Sequence, residues 1–449
     1  MHFLADKENH LLIIFLLLIF LGGWYAETAK AGDDKEISAS LMQKLTDGFS
    51  ADLRMLTYGI VQEPANSTQN PNNNFLQLPH YTANLELRPD LRLKMDPLEL
   101  SAKPRAMLEF NIWQEGSRQG DTQWKSDVYV NEWLARLKAR DNLFVSYGRE
   151  NLQWGPSFLF SPSNPFFQDN GRSNPFLELP GMDFARLVWI PHSSWTTSFI
   201  VNTDEGRNML YGPGPFKIIY ALKVDYTGRE NYASIILSQK DYKNSLGFFG
   251  GWTVSDAVLL YGEGTVTQGS RALYPQRDNT PLGASMQQIH QDDSAIQSIL
   301  LVGSSYTLEA SGTISLEYVY NGPGYNADEA GIYYTVRGRG AAALNMSGLA
   351  GSLGQMTLSQ TANTGLRFLR NNYVMLQYVQ NNIKNKIDIF TRWTQNLDDG
   401  SCQASAYVTY SLGNHLELFS LGVINGGSKD TEFGSFLNYQ AMIGLKYTL

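Results

Sequence analysis

Cysteine is nearly absent: Cys402 is the one thiol in 449 residues. No internal disulfide can form, so a chain of this size is held by its core or by backbone pairing. Basic runs are missing too. Lys and Arg total 35 against 43 Asp and Glu, a net charge of -8, with no lysine- or arginine-rich stretch, which excludes a nucleic-acid partner. None of the 6 histidines has zinc-ligand spacing, and no G-x-S-x-G segment occurs. The expectation is therefore no cofactor, no bound metal and no catalytic set, a non-enzymatic protein. Long apolar runs are scarce. The one that stands out is Leu11–Leu21, "LLIIFLLLIFL", shorter than the roughly 20 residues a spanning helix needs. Lys7 precedes it and "AKA" (Ala29–Ala31) follows, so residues 1–31 read as a signal peptide cut after Ala31, with an uncleaved anchor as the alternative.

What is abundant is glycine (40), tyrosine (24) and aromatic residues generally (12%), in a chain 43% apolar yet with a mean hydropathy of -0.26. That mixture suits strands with one apolar and one polar face. Alternation is explicit. Tyr81, Ala83, Leu85 and Leu87 interleave with Thr82, Asn84, Glu86 and Arg88; Ile314, Leu316, Tyr318 and Tyr320 enclose Ser315, Glu317 and Val319. At the C-terminus Tyr439, Ala441, Ile443, Leu445, Tyr447 and Leu449 share one face, and Met442 breaks the pattern. An apolar terminal edge strand is a pairing hazard unless it closes on the first strand.

Runs of about ten residues recur along the chain, the length of a tilted membrane strand. They give about 18 strands, with about 16 as the alternative count. The first covers 52–60, one covers 363–380, and the last covers 438–449. Tight turns such as "ARD", "HSS", "TGRE", "VSD", "LEAS", "NNIKN" and "LGN" follow even-numbered strands. The long connections, 61–79, 151–181, 203–215, 267–296, 322–362 and 424–437, follow odd-numbered ones. A soluble sandwich or propeller needs no such asymmetry; a bacterial outer-membrane barrel has it. The fold class is thus all-β: a closed antiparallel transmembrane β-barrel over residues 51–449. Residues 32–50 are expected to form a short periplasmic helix or plug segment, from Ile37, Leu41 and Leu45 at spacing four. No other helix is expected. Localisation in the outer membrane of a Gram-negative-type bacterium follows. So do outer-membrane lipid and lipopolysaccharide as surroundings, and a homo-oligomer reads the same as a monomer.

A barrel this wide has a lumen that side chains alone do not fill. The segment "YGRENLQWGPSFLFSPSNPFFQDNGRSNPFLELPGMDFARLVW" (Tyr147–Trp189) carries six large apolar residues and five prolines in its loop, which is costly in open water. Residues 151–181 are therefore expected to fold into the barrel as a constriction. Arg149, Glu150, Trp154, Arg172, Glu178 and Arg186 are its candidate solute-facing residues. The alternative is that Arg149 and Arg186 simply pair with acids that pin the loop. Acidic stretches "NADEAG" (Asn326–Gly331) and "LDDGS" (Leu397–Ser401) read as solvated loop tips.

The stretch "GRENLQWGPSFLFSPSNPFF" resembles the W-G-P segment of Wzi-type capsule-assembly outer-membrane proteins. It also resembles the Gly-Arg-x-x-x-x-Trp-Gly segments of large bacterial porins; Arg149, Trp154, Gly155 and Pro156 are the matching positions. The resemblance to the Wzi type implies a barrel with a helical bundle that binds surface polysaccharide. Two functional expectations result: a porin-like channel for small hydrophilic solutes, or a barrel that binds or exports surface glycans.

Overall fold

A computed structural model of the chain describes residues 43–207, 215–279, 283–290 and 295–449. The predicted signal peptide lies outside the described residues, as does most of the expected 32–50 helix. Of that segment, residues 43–48 are helical and run straight into the first strand.

The strands, in chain order, are β1 (Phe49–Pro64), β2 (Tyr81–Met95), β3 (Leu98–Ile112), β4 (Thr122–Arg140), β5 (Leu143–Glu150), β6 (Met182–His192), β7 (Trp195–Asp204), β8 (Ile219–Thr227), β9 (Asn231–Lys240), β10 (Lys243–Ser255) and β11 (Val258–Gln268). They continue with β12 (Tyr274–Arg277), β13 (Ala284–Gln287), β14 (Ile296–Thr307), β15 (Gly312–Asn321), β16 (Asn372–Ile383), β17 (Ile387–Asn396), β18 (Cys402–Ser411), β19 (Leu416–Gly426) and β20 (Leu437–Thr448). All but β12 and β13 form one 18-stranded sheet of sequential antiparallel neighbours. Closure is direct: β1 pairs with β20 from Arg54↔Thr448 to Pro64↔Leu437. The Leu53 and Leu449 backbones exchange hydrogen bonds of 3.3 and 2.9 Å. The terminal strand therefore has no free edge. Hydrocarbon offers nothing to an unpaired N–H or C=O, and the closed ladder pairs strand with strand all the way round; where it is interrupted at Pro89 and Pro104, the Arg105 guanidinium donates to both carbonyls.

Side chains sort by the pleat. Leu85, Leu87, Leu222, Ile235, Leu237, Val302, Leu316, Leu376 and Ile443 are exposed on the outside, an apolar belt that only lipid covers without cost. Exposed aromatics gather at both ends of the strands: Trp189, Trp195, Trp252, Tyr306 and Tyr410 at the short-turn end, Tyr81, Trp124, Tyr220, Tyr320 and Tyr439 at the other. Rings with a polar tip settle at the two membrane–water boundaries, so these girdles mark the bilayer's edges.

Two details depart from the sequence reading. The strand expected at 363–380 begins at Asn372, and residues 363–371 belong to the preceding connection. That connection holds two helices, α1 (Ala327–Leu344) and α2 (Leu349–Ala362). The signal was Asn326-x-x-Glu329, a capping box in which the Asn326 side chain accepts from the Glu329 N–H and the Glu329 carboxylate from the Asn326 N–H, both at 2.9 Å. "NADEAG" is thus a helix start and not a solvated tip. The second acidic stretch is also spent on backbone: Asp398 accepts from the Asn371 and Asn372 N–H groups at 2.8 Å. The small hairpin β12–β13 packs with α1 through Tyr274, Met286, Tyr325 and Tyr333, which cross-links the loops at the long-loop end.

Candidate functional site: the inward loop and its wall

Residues 151–181 leave the end of β5 and enter the lumen. They land on the inner wall at three places, each a patch where the lumen face turns apolar. Phe166 and Phe167 pack on Phe184, Ile200, Ile219 and Ile236 of β6–β9. Leu159 and Phe160 pack on Tyr261, Leu301, Val319 and Met375 of β11 and β14–β16. Phe176 packs on Leu56, Phe419, Leu421 and Met442 of β1, β19 and β20, its ring stacked on Phe419 at 3.8 Å. Each buried phenylalanine contributes about 1.5–3 kcal/mol. Because the three patches are spread around the barrel, the loop must cross the lumen to reach them all.

Between these patches the loop is held by two buried wall carboxylates. Glu317 of β15 accepts from the N–H groups of Phe158 (2.6 Å) and Leu159 (3.0 Å) and from the Tyr261 hydroxyl (2.9 Å). Glu263 of β11 accepts from the Ser161 and Ser163 hydroxyls (2.5 and 2.7 Å) and from the Ser163 and Ser157 N–H groups (3.2 and 3.4 Å). Hydrogen bonds to a charged acceptor contribute about 1.5–3 kcal/mol each. Gly155 explains itself here. Its φ is +88°, and a Cβ would lie 2.3 Å from a Glu263 carboxylate oxygen. Only glycine lets the backbone pass so close in that conformation. Next to it, the Asn164 side chain accepts from the Phe166 and Phe167 N–H groups at 3.0 and 3.1 Å, fixing the turn that aims both rings at the wall.

The far end of the loop reaches a charged cluster on β1–β3. Arg105 donates to both oxygens of Glu178, at 2.5 and 2.8 Å. Arg54 and Arg88 lie 3.6 and 4.0 Å from the same carboxylate. Burial pushes the Glu178 carboxyl up, but the three guanidiniums outweigh it and hold the group below the usual carboxylate range. Arg88 and Arg105 sit halfway along their strands, as do Glu263, Glu317 and Arg392 along theirs. The loop therefore narrows the passage at mid-height.

No protein-family model matches the sequence, and no curated protein does. Solved structures match the fold. The outer membrane protein OprD of Pseudomonas aeruginosa aligns with a TM-score of 0.52 at 9% identity, over 90% of this chain and 94% of that one. OccK7 (OpdD) of the same organism gives 0.51 at 10%, over 89% and 98%; OccK11 (OpdR) gives 0.51 at 11%, over 90% and 96%. The chain shares the barrel fold of OprD. At these identities the OprD likeness establishes architecture, and the site is read from the residues themselves.

The six residues singled out from the sequence do not form one ring. Arg186 donates to both oxygens of Glu150 at 3.0 Å, on the lumen face at the loop's root. Arg149 pairs with Asp183 at 2.8 Å, but alternation places it with exposed Val145 and Tyr147 on the outward face. It closes the loop's base from outside and does not line the passage. Trp154 lies edge-on to Phe166 at 5.8 Å, with the Lys223 ammonium 5.4 Å from its ring. Arg172 turns back on the loop and donates to the carbonyls of Gly155 (3.2 Å), Pro156 (3.0 Å) and Ser157 (2.5 Å). Pro156 is thus held between Gly155 and the Ser157 anchor. Glu178 alone of the six meets the arginine cluster. Sequence reasoning missed Arg54, Asp90, Arg105 and Glu263 as site residues. The available signal for Glu263 was a lone acid between two glycines on the lumen face of "LLYGEGTVT". Among the described residues no three His, Cys, Asp or Glu are placed to hold a metal ion.

Proposed function

We propose that this chain is a porin-like channel of a bacterial outer membrane that passes small hydrophilic solutes, with residues 151–181 as its constriction. The observation that carries the reading is the loop seated inside the lumen at mid-height, on a wall that is polar and charged between the three apolar patches. A polar lumen inside an apolar belt has a physical use in conducting water-soluble cargo across lipid. Lipid and lipopolysaccharide surround the belt, and residues 1–31 direct export and are removed.

The glycan reading, suggested by the Wzi-type resemblance around Trp154, requires loop aromatics free to stack on sugars. Phe160, Phe166, Phe167 and Phe176 are instead buried against the wall. The channel reading is the better supported of the two. Purified protein in planar bilayers gives discrete conductance steps on this account. Complete absence of conductance, with retained binding of capsular polysaccharide, overturns it. Mass spectrometry of the mature N-terminus tests removal of the leader.

A further inference from the structure

The helices α1 and α2 lie in the connection between β15 and β16, at the long-loop end of the barrel, and their neighbours come from both sides of that mouth. Tyr333 and Val336 of α1 pack with Leu273, Tyr274 and Met286 of the connection between β11 and β14. One turn on, the fully buried Arg337 donates to the Thr68 hydroxyl (2.8 Å) in the connection between β1 and β2. It also donates to the Ser435 hydroxyl (2.8 Å), the Lys429 carbonyl (3.0 Å) and Asp430 (3.1 Å), all before β20. On the closed ladder of 18 strands, the β1–β2 and β11–β14 connections are rooted almost opposite one another. Strands about 4.8 Å apart and tilted by about 40° make such a ring about 35 Å across. Thr68 stands four residues beyond the end of β1, and Leu273 five beyond the end of β11. The chain carries them at most about 14 and about 18 Å from the wall. They meet α1 in the space between, over the opening. From below, the segment that leaves α2 rests on the inward loop. The Phe368 ring meets Phe160 edge-on at 5.2 Å, and Arg367 pairs with Asp169 at 3.3 Å. The two helices also close tightly on each other, since a Cβ at Gly354 would lie 2.7 Å from the Leu344 backbone nitrogen.

We propose that α1 and α2 form a cover over the outer mouth, fastened by Arg337, and that this cover sets the largest solute able to reach the outer half of the lumen from outside. The inference rests on the channel reading and deepens it. A cover held from opposite sides leaves openings only at its flanks. Among the described residues, the other end of the barrel carries short turns and the helix at 43–48. The constriction at mid-height divides the lumen, so each half fills from its own side. On this account the outer half refuses neutral polymers that the inner half admits.

The test is polymer exclusion in planar bilayers. Neutral polyethylene glycols of graded size are added to one chamber at a time. A polymer that enters the lumen displaces electrolyte and lowers the single-channel current. Wild type shows a smaller size cut-off from one chamber than from the other. In Arg337→Ala that difference is lost, because the smaller cut-off rises to meet the larger. Excising residues 327–362 loses it as well, without relying on one side chain. The Tyr325 N–H donates to the Leu369 carbonyl at 2.6 Å, so the two ends already lie side by side for a short linker. A cross-link restores the difference. A Cβ at Gly338 would lie 3.9 Å from the Thr68 methyl group, within reach of a disulfide. Gly338→Cys with Thr68→Cys, added to Arg337→Ala in a Cys402→Ser background, regains the wild-type difference when oxidised and loses it on reduction. Conducting wild-type channels with equal cut-offs from the two chambers, or a difference that persists after excision of residues 327–362, overturn this inference and leave the channel reading standing. Absence of conductance in wild type and variants overturns the channel reading and this inference with it.

Discussion

Replacing Gly155 by alanine perturbs the loop with a single methyl group. The backbone at φ +88° costs a residue with a Cβ about 1–2 kcal/mol. That Cβ would also meet the Glu263 carboxylate at 2.3 Å, from an oxygen that has to move. Glu263 accepts four hydrogen bonds from Ser157, Ser161 and Ser163. Losing two of them, at about 1.5–3 kcal/mol each, brings the total to about 4–8 kcal/mol against the seated loop. Four kcal/mol is about a thousandfold in an equilibrium, enough to populate lifted conformations heavily. The β-ladder is untouched, so the barrel remains heat-modifiable on gels. Gly155→Ala then shows larger and noisier single-channel currents, and trypsin cleaves at exposed Arg172 much faster than in wild type. Currents and cleavage rates equal to wild type would refute the argument that Glu263 anchors the loop through Gly155.

Truncating Phe176 to alanine removes a ring buried on four wall residues and destabilises that end of the loop by about 3–5 kcal/mol; hydrogen exchange of residues 174–179 reports it as faster exchange. Arg337 of α1 is fully buried and donates to Thr68, Ser435, the Lys429 carbonyl and Asp430. Arg337→Ala leaves these acceptors without their donor at a cost of about 3–5 kcal/mol, and the helical hairpin becomes protease-sensitive near residues 345–348 while conductance persists. Glu432, in the loop before β20, accepts from Tyr373, Asn396 and the Leu369 N–H. Burial, with the nearby Asp399 charge adding to it, outweighs those hydrogen bonds and raises its carboxyl to about 7. Its folded value lies above the unfolded one, so its contribution is complete below about pH 4.5 and is lost as pH rises through 7. Protection factors of residues 366–371 and 428–435, taken against intrinsic exchange at each pH, therefore fall between pH 5 and pH 9, and Glu432→Gln removes most of that fall.

The strands were legible because the bilayer imposes period two. Outward positions must be apolar, and each tight turn resets the phase. The count and the closure of the last strand on the first follow from that rule, while the inward loop was legible from its six large apolar residues and five prolines. The breaks in the rule carried the rest. Met442, the irregularity in the terminal strand, is a lumen-facing residue on which Phe176 rests. Leu56, Ile200, Ile236 and Leu301 are likewise apolar side chains on the lumen face, each marking ground where the loop lands. The same period assigns Arg149 to the side of Val145 and Tyr147, away from the passage. What the pattern does not contain is which wall groups face which loop atoms. Ser157 meets Glu263 and Glu317 from 106 and 160 residues away. Such pairings depend on barrel shear and loop path, neither of which leaves a local trace. The helices α1 and α2 escaped notice for another reason. With several glycines, and with polar and apolar residues mixed around the axis, they lack an amphipathic stripe; they pack on each other and on neighbouring loops.

The most direct measurement is single-channel conductance of the mature protein beside a variant with residues 157–178 replaced by a short glycine–serine linker, both confirmed as closed barrels by heat-modifiable migration. The account predicts discrete steps from both proteins and a clearly larger step from the variant, because Phe160, Phe166, Phe167, Phe176 and the segments they hold no longer cross the lumen. Steps of equal size from the two proteins would contradict it.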